Sequence, residues 1–324
     1  MAFDIAAISR MARTARTPAA TPSPPSRLVG TTPGCYALLI SDDEYHHQAP
    51  GISSTGLKQL LRSPAHYQAY LQERDSDSPA RRLGRAIHAW VLEPHLFDQK
   101  FAVWRAGARR GRAYADFELA HRGKTILGEA EMRAVQGCAH ALLNDKTFPL
   151  RGFLEGARDG LGQPLVAPAK TEFSIFWTDE ATGVQCKVRL DAVRLEDPVI
   201  AVDLKSTDDA RPEAFTRQLL RLHYDLQAAF YMEGVRRFTG RECPFIFAAV
   251  ETDRPHGTAF YALSPNSDLM ENGRRKVRHA LGLKARCDRT GKFPGYGFTQ
   301  VMEPVMAPWM AFKAAQEDEA NLAA

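Results

Sequence analysis

Residues 170–207, KTEFSIFWTDEATGVQCKVRLDAVRLEDPVIAVDLKST, constrain the fold more than any other stretch of the chain. β-branched and aromatic residues fill three runs, and DEATG and EDP interrupt them with turn formers. Three consecutive strands in a meander are expected. Side chains alternate faces along a strand. Ile200, Val202 and Leu204 then point into a core, while Asp203 and Lys205 lie side by side on the other face. Asp191 falls near the end of the preceding strand, on the side of Lys187 and Arg189. A turn at Glu196–Asp197–Pro198 folds it back beside Asp203. Two carboxylates and an ammonium thus gather on a rigid apolar sheet.

Helical patterns surround the meander. GISSTGLKQLLRSPAHYQAYL opens at Ser53 or Ser54 as N-cap and restarts at Pro64; RRLGRAIHAWVLEP places Leu83, Ile87, Trp90 and Val91 on one stripe. A further amphipathic helix is expected over 127–145, with the Arg-rich WRAGARRGRAY as a loop before it. After the meander, PEAFTRQLLRLHYDLQAAFYMEGVRRF reads as one long helix with Pro at its first turn. The strands CPFIFAAVET and GTAFYALS and the helix SDLMENGRRKVRHALGL follow. The order predicts an α+β (mixed α/β) fold, a central mixed sheet flanked by helices. Residues 1–34, rich in Pro, Thr, Ala and Arg, read as a loosely ordered tail, 35–310 as one domain and 311–324 as a C-terminal tail.

The 324 residues are 44% hydrophobic, enough for a substantial core. The net charge of +4 permits a polyanionic partner without requiring one. The 31 Arg against 11 Lys suit bidentate phosphate contacts, although a GC-rich codon bias explains them equally well. Five scattered cysteines without a CxxC pair argue against a zinc ribbon, an iron–sulfur cluster or a disulfide framework, and fit a reducing cytoplasm. No apolar run approaches a membrane span.

Adjacent carboxylates repel, and both stay ionised only with a cation between them. Carboxylate oxygens on a rigid platform suit Mg²⁺, with Mn²⁺ able to substitute, and a nearby lysine can orient water or neutralise phosphate charge. The competing reading is a solvated Asp203–Lys205 salt bridge of little energetic worth. DxK alone decides nothing, since Asp98–Gln99–Lys100 repeats it in a polar context. RGKT at 122–125 is no P-loop, because Glu118 stands where the first glycine is needed. Arg105, Arg109, Arg110 and Arg112 read either as a DNA-facing loop or as a solvated charge run.

Asp191 followed after eleven residues by Asp203–Leu204–Lys205 resembles the core motif of the PD-(D/E)xK nuclease superfamily. GRAIH (84–88) resembles the GxxxH element of its RecB-like branch, and QAAFY (227–231) its QxxxY element. The blocks GISSTGLKQLLRSPAHY, LGRAIHAWVLEP, IAVDLKSTDDARPEAF and YDLQAAFYMEG are similar to the exonuclease VIII (RecE) family and its phage relatives, akin to lambda exonuclease, across residues 45–310. The resemblance implies His88, Asp191, Asp203 and the Leu204 carbonyl as metal ligands, with Glu172 as an additional acid. It implies that Lys205 positions water and that Gln227 and Tyr231, one helical turn apart, brace the site or touch DNA phosphate. Ser53 and Ser54 open a helix whose N–H groups suit a terminal phosphate. Without the family pattern, His88 would read as a core histidine.

The resemblance further implies a Mg²⁺-dependent 5′→3′ exodeoxyribonuclease on linear duplex DNA. A homo-oligomeric ring, trimer or tetramer, and a RecT-type annealing partner in recombination belong to the same implication. The chain departs from the pattern in lacking Pro before Asp191 and in using Asp203 instead of Glu; the first carries no ligand, and the second shortens the reach to a metal. Alternatives are a RecB-like or CRISPR-adaptation nuclease, whose cluster-ligating cysteine spacing is missing, and a silent DNA-binding relative, against which the intact His–Asp–Asp–Lys set weighs.

Overall fold

A computed structural model describes residues 28–72, 78–160, 162–297 and 301–304. Most of the expected N-terminal tail (1–27) and all of the expected C-terminal tail (311–324) lie outside the described residues. The expected meander forms as β7 (Lys170–Thr178), β8 (Gln185–Arg194) and β9 (Ile200–Thr207). Two short strands, β1 (Leu28–Val29) and β2 (Tyr36–Leu38), extend the sheet beside β7, and β10 (Phe245–Glu251) and β11 (Thr258–Leu263) extend it beyond β9. The seven-stranded order is β1-β2-β7-β8-β9-β10-β11, antiparallel except for the β9–β10 pair. Residues 28–34, expected as tail, therefore enter the fold through β1, because β2 offers its edge to Leu28 and Val29.

Helices cover both faces. On one lie α1 (Ser54–Arg62), α2 (Pro64–Gln72), α8 (Tyr224–Thr239) and α9 (Asp268–Thr290), packing Leu57, Leu60, Phe230 and Leu281 against Phe245 and Phe247. On the other, α3 (Pro79–Leu92), α5 (Glu129–Asn144) and α6 (Leu150–Glu155) pack Ile87, Val135 and Phe153 against Ile200, Val202 and Leu204. The β9 run of apolar residues is buried on both sides, as a strand inside a three-layer sandwich must be.

Two further expectations need correction. The Arg-rich segment is a loop only to Gly111, after which α4 (Arg112–Ala120) forms. It lies between β3 (Phe101–Trp104) and β4 (Thr125–Gly128), a parallel pair apart from the main sheet, as is the short antiparallel pair β5 (Ala157–Arg158) and β6 (Pro164–Val166). The long helix after the meander is two helices, α7 (Pro212–Arg221) and α8, broken at His223 with φ +52. Buried Asp225 explains the break: it binds Asn272 Nδ2 at 2.6 Å and Lys276 Nζ at 2.7 Å on α9, so α8 restarts in a new direction. Gly273 permits that docking, since a Cβ there would lie 2.1 Å from the Asp225 carbonyl oxygen.

A short segment before α1 is strapped to β8 by buried cations. Lys187 donates to the carbonyls of Tyr45 (2.7 Å) and Ala49 (2.8 Å), and Arg189 to those of Ile40 (3.0 Å) and Ser41 (3.2 Å).

Candidate metal centre

β8 and β9 pair over only three positions, Ala192–Arg194 against Ile200–Val202, and then part. At the fork, Asp191 Oδ2 accepts the Leu204 backbone N–H at 2.8 Å, taking the place of a strand carbonyl. The β8 edge that β9 vacates is filled by Ile52, whose bridge to Cys186 starts α1 inside the fork. Across β8, the β7 register passes over one facing pair, Glu172 and Asp191, where Glu172 adopts φ +52. A non-glycine residue held in that region stores strain and needs its surroundings to hold it there; here the Arg189 guanidinium grips its carboxylate.

This irregularity interrupts the alternation from which Asp191 was expected to share a side with Lys187 and Arg189. Val188 and Leu190 pack in one core, Ala192 in the other and Val193 back in the first, so simple alternation stops at Asp191. Lys187 and Arg189 turn to the strap, whereas Asp191 turns to the fork.

His88 arrives from α3. Ser78 caps this helix, accepting from Arg81 N at 3.2 Å, and Pro79 fits its first turn. Gly84 leaves a Cβ position 3.2 Å from Ser206 Oγ, which lets the helix come close to β9. His88 Nε2 lies 3.0 Å from the Leu204 carbonyl oxygen, and Nδ1 lies 3.4 Å from Asp191 Oδ2. One donor atom each from His88, Glu172 and Asp191 falls within 4.8 Å of the others.

Asp203 stands beside this group, 2% exposed. Its Oδ1 accepts from Gln227 Nε2 at 2.7 Å, and its Oδ2 meets the Lys205 ammonium. Lys205 Nζ also sits 4.7 Å from the centre of the Tyr224 ring. Tyr231, a turn beyond Gln227, is buried and hydrogen-bonded through its side chain to Ser54. The break at His223 is what turns Tyr224 and Gln227 toward β9. Ser53 Oγ accepts Gly56 N at 3.3 Å, so one amide of the α1 N-terminus is already satisfied by the chain itself. Ser54, at the first turn of α1, is buried.

Electrostatics follow from burial. Burial, and then the Asp203 charge, push the Asp191 carboxyl well above the usual carboxylate range; His88 and Lys205 offset only part of this. Burial pulls Lys205 down, but Asp203, Tyr224 and Asp191 together outweigh it and the net direction is up. A lysine unmarked by sequence reasoning joins the site: Lys58 donates to Gln227 Oε1 at 3.2 Å and lies 5.1 Å from the Tyr224 ring centre. Burial and the neighbouring Lys205 charge bring it down to about 7. Its four-residue spacing from Ser54 put both on one helix face, the only signal that could have found it. Arg189, which holds Glu172, and Tyr224, whose ring faces Lys58 and Lys205, were likewise missed.

The donors fit a hard divalent cation. One imidazole nitrogen and carboxylate oxygens of Glu172 and Asp191 lie within 4.8 Å of one another, a donor set that suits such an ion. A cation would also relieve the repulsion that holds Asp191 toward its neutral form.

The family model for a PDDEXK-like domain of unknown function (DUF3799) matches residues 53–302. The chain belongs to this family. Its matched span holds His88, Glu172, Asp191, Asp203, Lys205, Gln227 and Tyr231, so the clustered side chains all lie in the PDDEXK-like domain. Among solved structures, the "Putative exonuclease" from Eubacterium rectale aligns with a TM-score of 0.53 at 14% identity, covering 85% of this chain and 98% of that one. That likeness supports the PDDEXK-like fold. A second, SSO0001, aligns with a TM-score of 0.27 at 14% identity over 71% of this chain and 85% of that one. No curated protein matches the sequence. Among the described residues, no helix is long and apolar enough to cross a membrane.

Proposed function

We propose that the chain is a divalent-metal-dependent exodeoxyribonuclease that digests linear duplex DNA from its ends. The observation that carries the reading is the convergence of His88, Glu172 and Asp191 at a strand fork directly beside the Asp203–Lys205 pair. A solvated surface salt bridge would have no reason to be buried, amide-braced and ringed by potential ligands. His88, Asp191, Asp203 and the Leu204 carbonyl would hold the ion, with Glu172 as the further acid. Bound Mg²⁺, or Mn²⁺ in its place, would polarise the phosphoryl oxygen and acidify an attacking water.

The chain's own groups do the rest. Gln227 fixes the rotation of Asp203 by donating to Oδ1, leaving Oδ2 to hold the Lys205 ammonium. That ammonium is charged, flanked by the Tyr224 and Phe247 rings, and suited to orient water and to offset charge gained by the phosphate. The Tyr231–Ser54 contact ties α8 to α1 behind the site.

The name of the Eubacterium rectale protein, an exonuclease, supports cleavage from ends; 5′→3′ polarity, a trimeric or tetrameric ring and an annealing partner of the RecT type rest on the resemblance to the RecE family alone. Asp203→Ala and Lys205→Ala should each lower digestion of linear duplex by at least about a hundredfold, with unchanged circular dichroism. Full activity in either would refute the assignment. Digestion of strand-labelled linear DNA should release 5′-end label first, and light scattering should give three or four times the 36.0 kDa chain mass. Loss of 3′ label first, or a monomer, would remove the corresponding claim.

A further inference from the structure

We infer that Lys58 is a substrate-binding residue whose ammonium takes a backbone phosphate of the DNA next to the Asp203–Lys205 pair. This rests on the nuclease reading and adds a contact that the metal site does not supply. The other cations around the fork are matched. Lys205 has Asp203, Arg189 has Glu172 and two carbonyls, Lys187 has two carbonyls, and Lys276 has Asp225. Lys58 has one amide oxygen and the face of Tyr224, and no carboxylate among the described residues pairs with it. An ammonium carries three donors, so two remain for another group.

Its placement is constructed. The Ile52 bridge anchors the start of α1 in the fork, and Leu57 and Leu60 fix the helix in the core. Lys58 thereby reaches the same Tyr224 ring that Lys205 approaches from β9. Two ammonium groups meet one aromatic ring while only Lys205 has an anion beside it. Two like charges in a half-buried site repel unless an anion joins them, and a phosphodiester supplies that charge one amide away from Asp203. Charge-assisted bonds to phosphate are the strong class of hydrogen bond.

Counterion release separates a phosphate contact from a merely structural brace. Binding of linear DNA by the full chain would be measured in EDTA at pH 6, where Lys58 is charged, across a salt series. Lys58→Met and Lys58→Gln should weaken binding about tenfold. They should also flatten the slope of log affinity against log salt by about 0.7 to 0.9, the value for one lost phosphate contact. Lys58→Gln retains a donor for Gln227, and Lys58→Arg should restore the wild-type slope. Wild-type slopes in both uncharged variants would overturn the inference and leave the nuclease reading standing. A wild-type chain that neither binds nor digests linear DNA would overturn both.

Discussion

At Asp191 one carboxylate oxygen accepts the Leu204 amide and faces His88 Nδ1 at 3.4 Å, so a proton and a metal ion compete for the same group. The folded carboxyl is shifted upward by burial and by Asp203. Binding a cation must therefore expel a proton at pH values below the raised one, and affinity rises with pH until that value is passed. Calorimetric titration with Mg²⁺ should give tighter binding at pH 8 than at pH 6, with fewer protons released at pH 8. Equal affinity at both would contradict this. In the metal-free protein the sign is opposite. A raised folded value favours the native state below the unfolded carboxylate value of about 3.9, and that contribution is lost as pH rises through the folded one. The Asp203–Lys205 juxtaposition was legible from strand period alone, because β9 keeps its alternation. The position of Asp191 was only half legible: the turn brings it back to Asp203, but the interrupted alternation depends on Glu172, on another strand.

Between α7 and α8, nothing in RLHYDL announces a break, since its residues carry an unbroken helical pattern. The break is tertiary, set by Asp225 gripping α9, and it decides where Tyr224 and Gln227 point. His223 occupies the left-handed region, which is unfavourable for residues other than glycine, asparagine and aspartate. His223→Val should destabilise the fold by about 1–2 kcal/mol, whereas His223→Asn should stay within about 0.5 kcal/mol of wild type; chemical denaturation measures both. A neutral His223→Val would show that the break carries no strain. The meander and the outer helices, by contrast, were legible because their apolar periods coincide with the faces that they bury. The β3–β4 pair was not, because its strands are four residues each and sit beside Gly- and Arg-rich sequence.

For the molecule as a whole, the site joins three layers: His88 from the helices on one face, Lys58 and Gln227 from those on the other, and the acids from the sheet between. A ligand bound there should stabilise the native state globally. Mg²⁺ at a hundred times its Kd adds about 2.7 kcal/mol, which corresponds to a rise in Tm of several degrees in a chain of this size. Asp191→Ala should abolish the rise. A variant that keeps it would place the ion elsewhere. The overall class was legible from element order, since strands buried on both faces need helices on both.

The strap formed by Lys187 and Arg189 gives the N-terminal segment a second significance. Arg189 divides its donors between the Ile40 and Ser41 carbonyls and the Glu172 carboxylate. The same guanidinium therefore couples the docking of residues 40–41 to the orientation of Glu172, so a loosened segment would leave Arg189 with that acid alone.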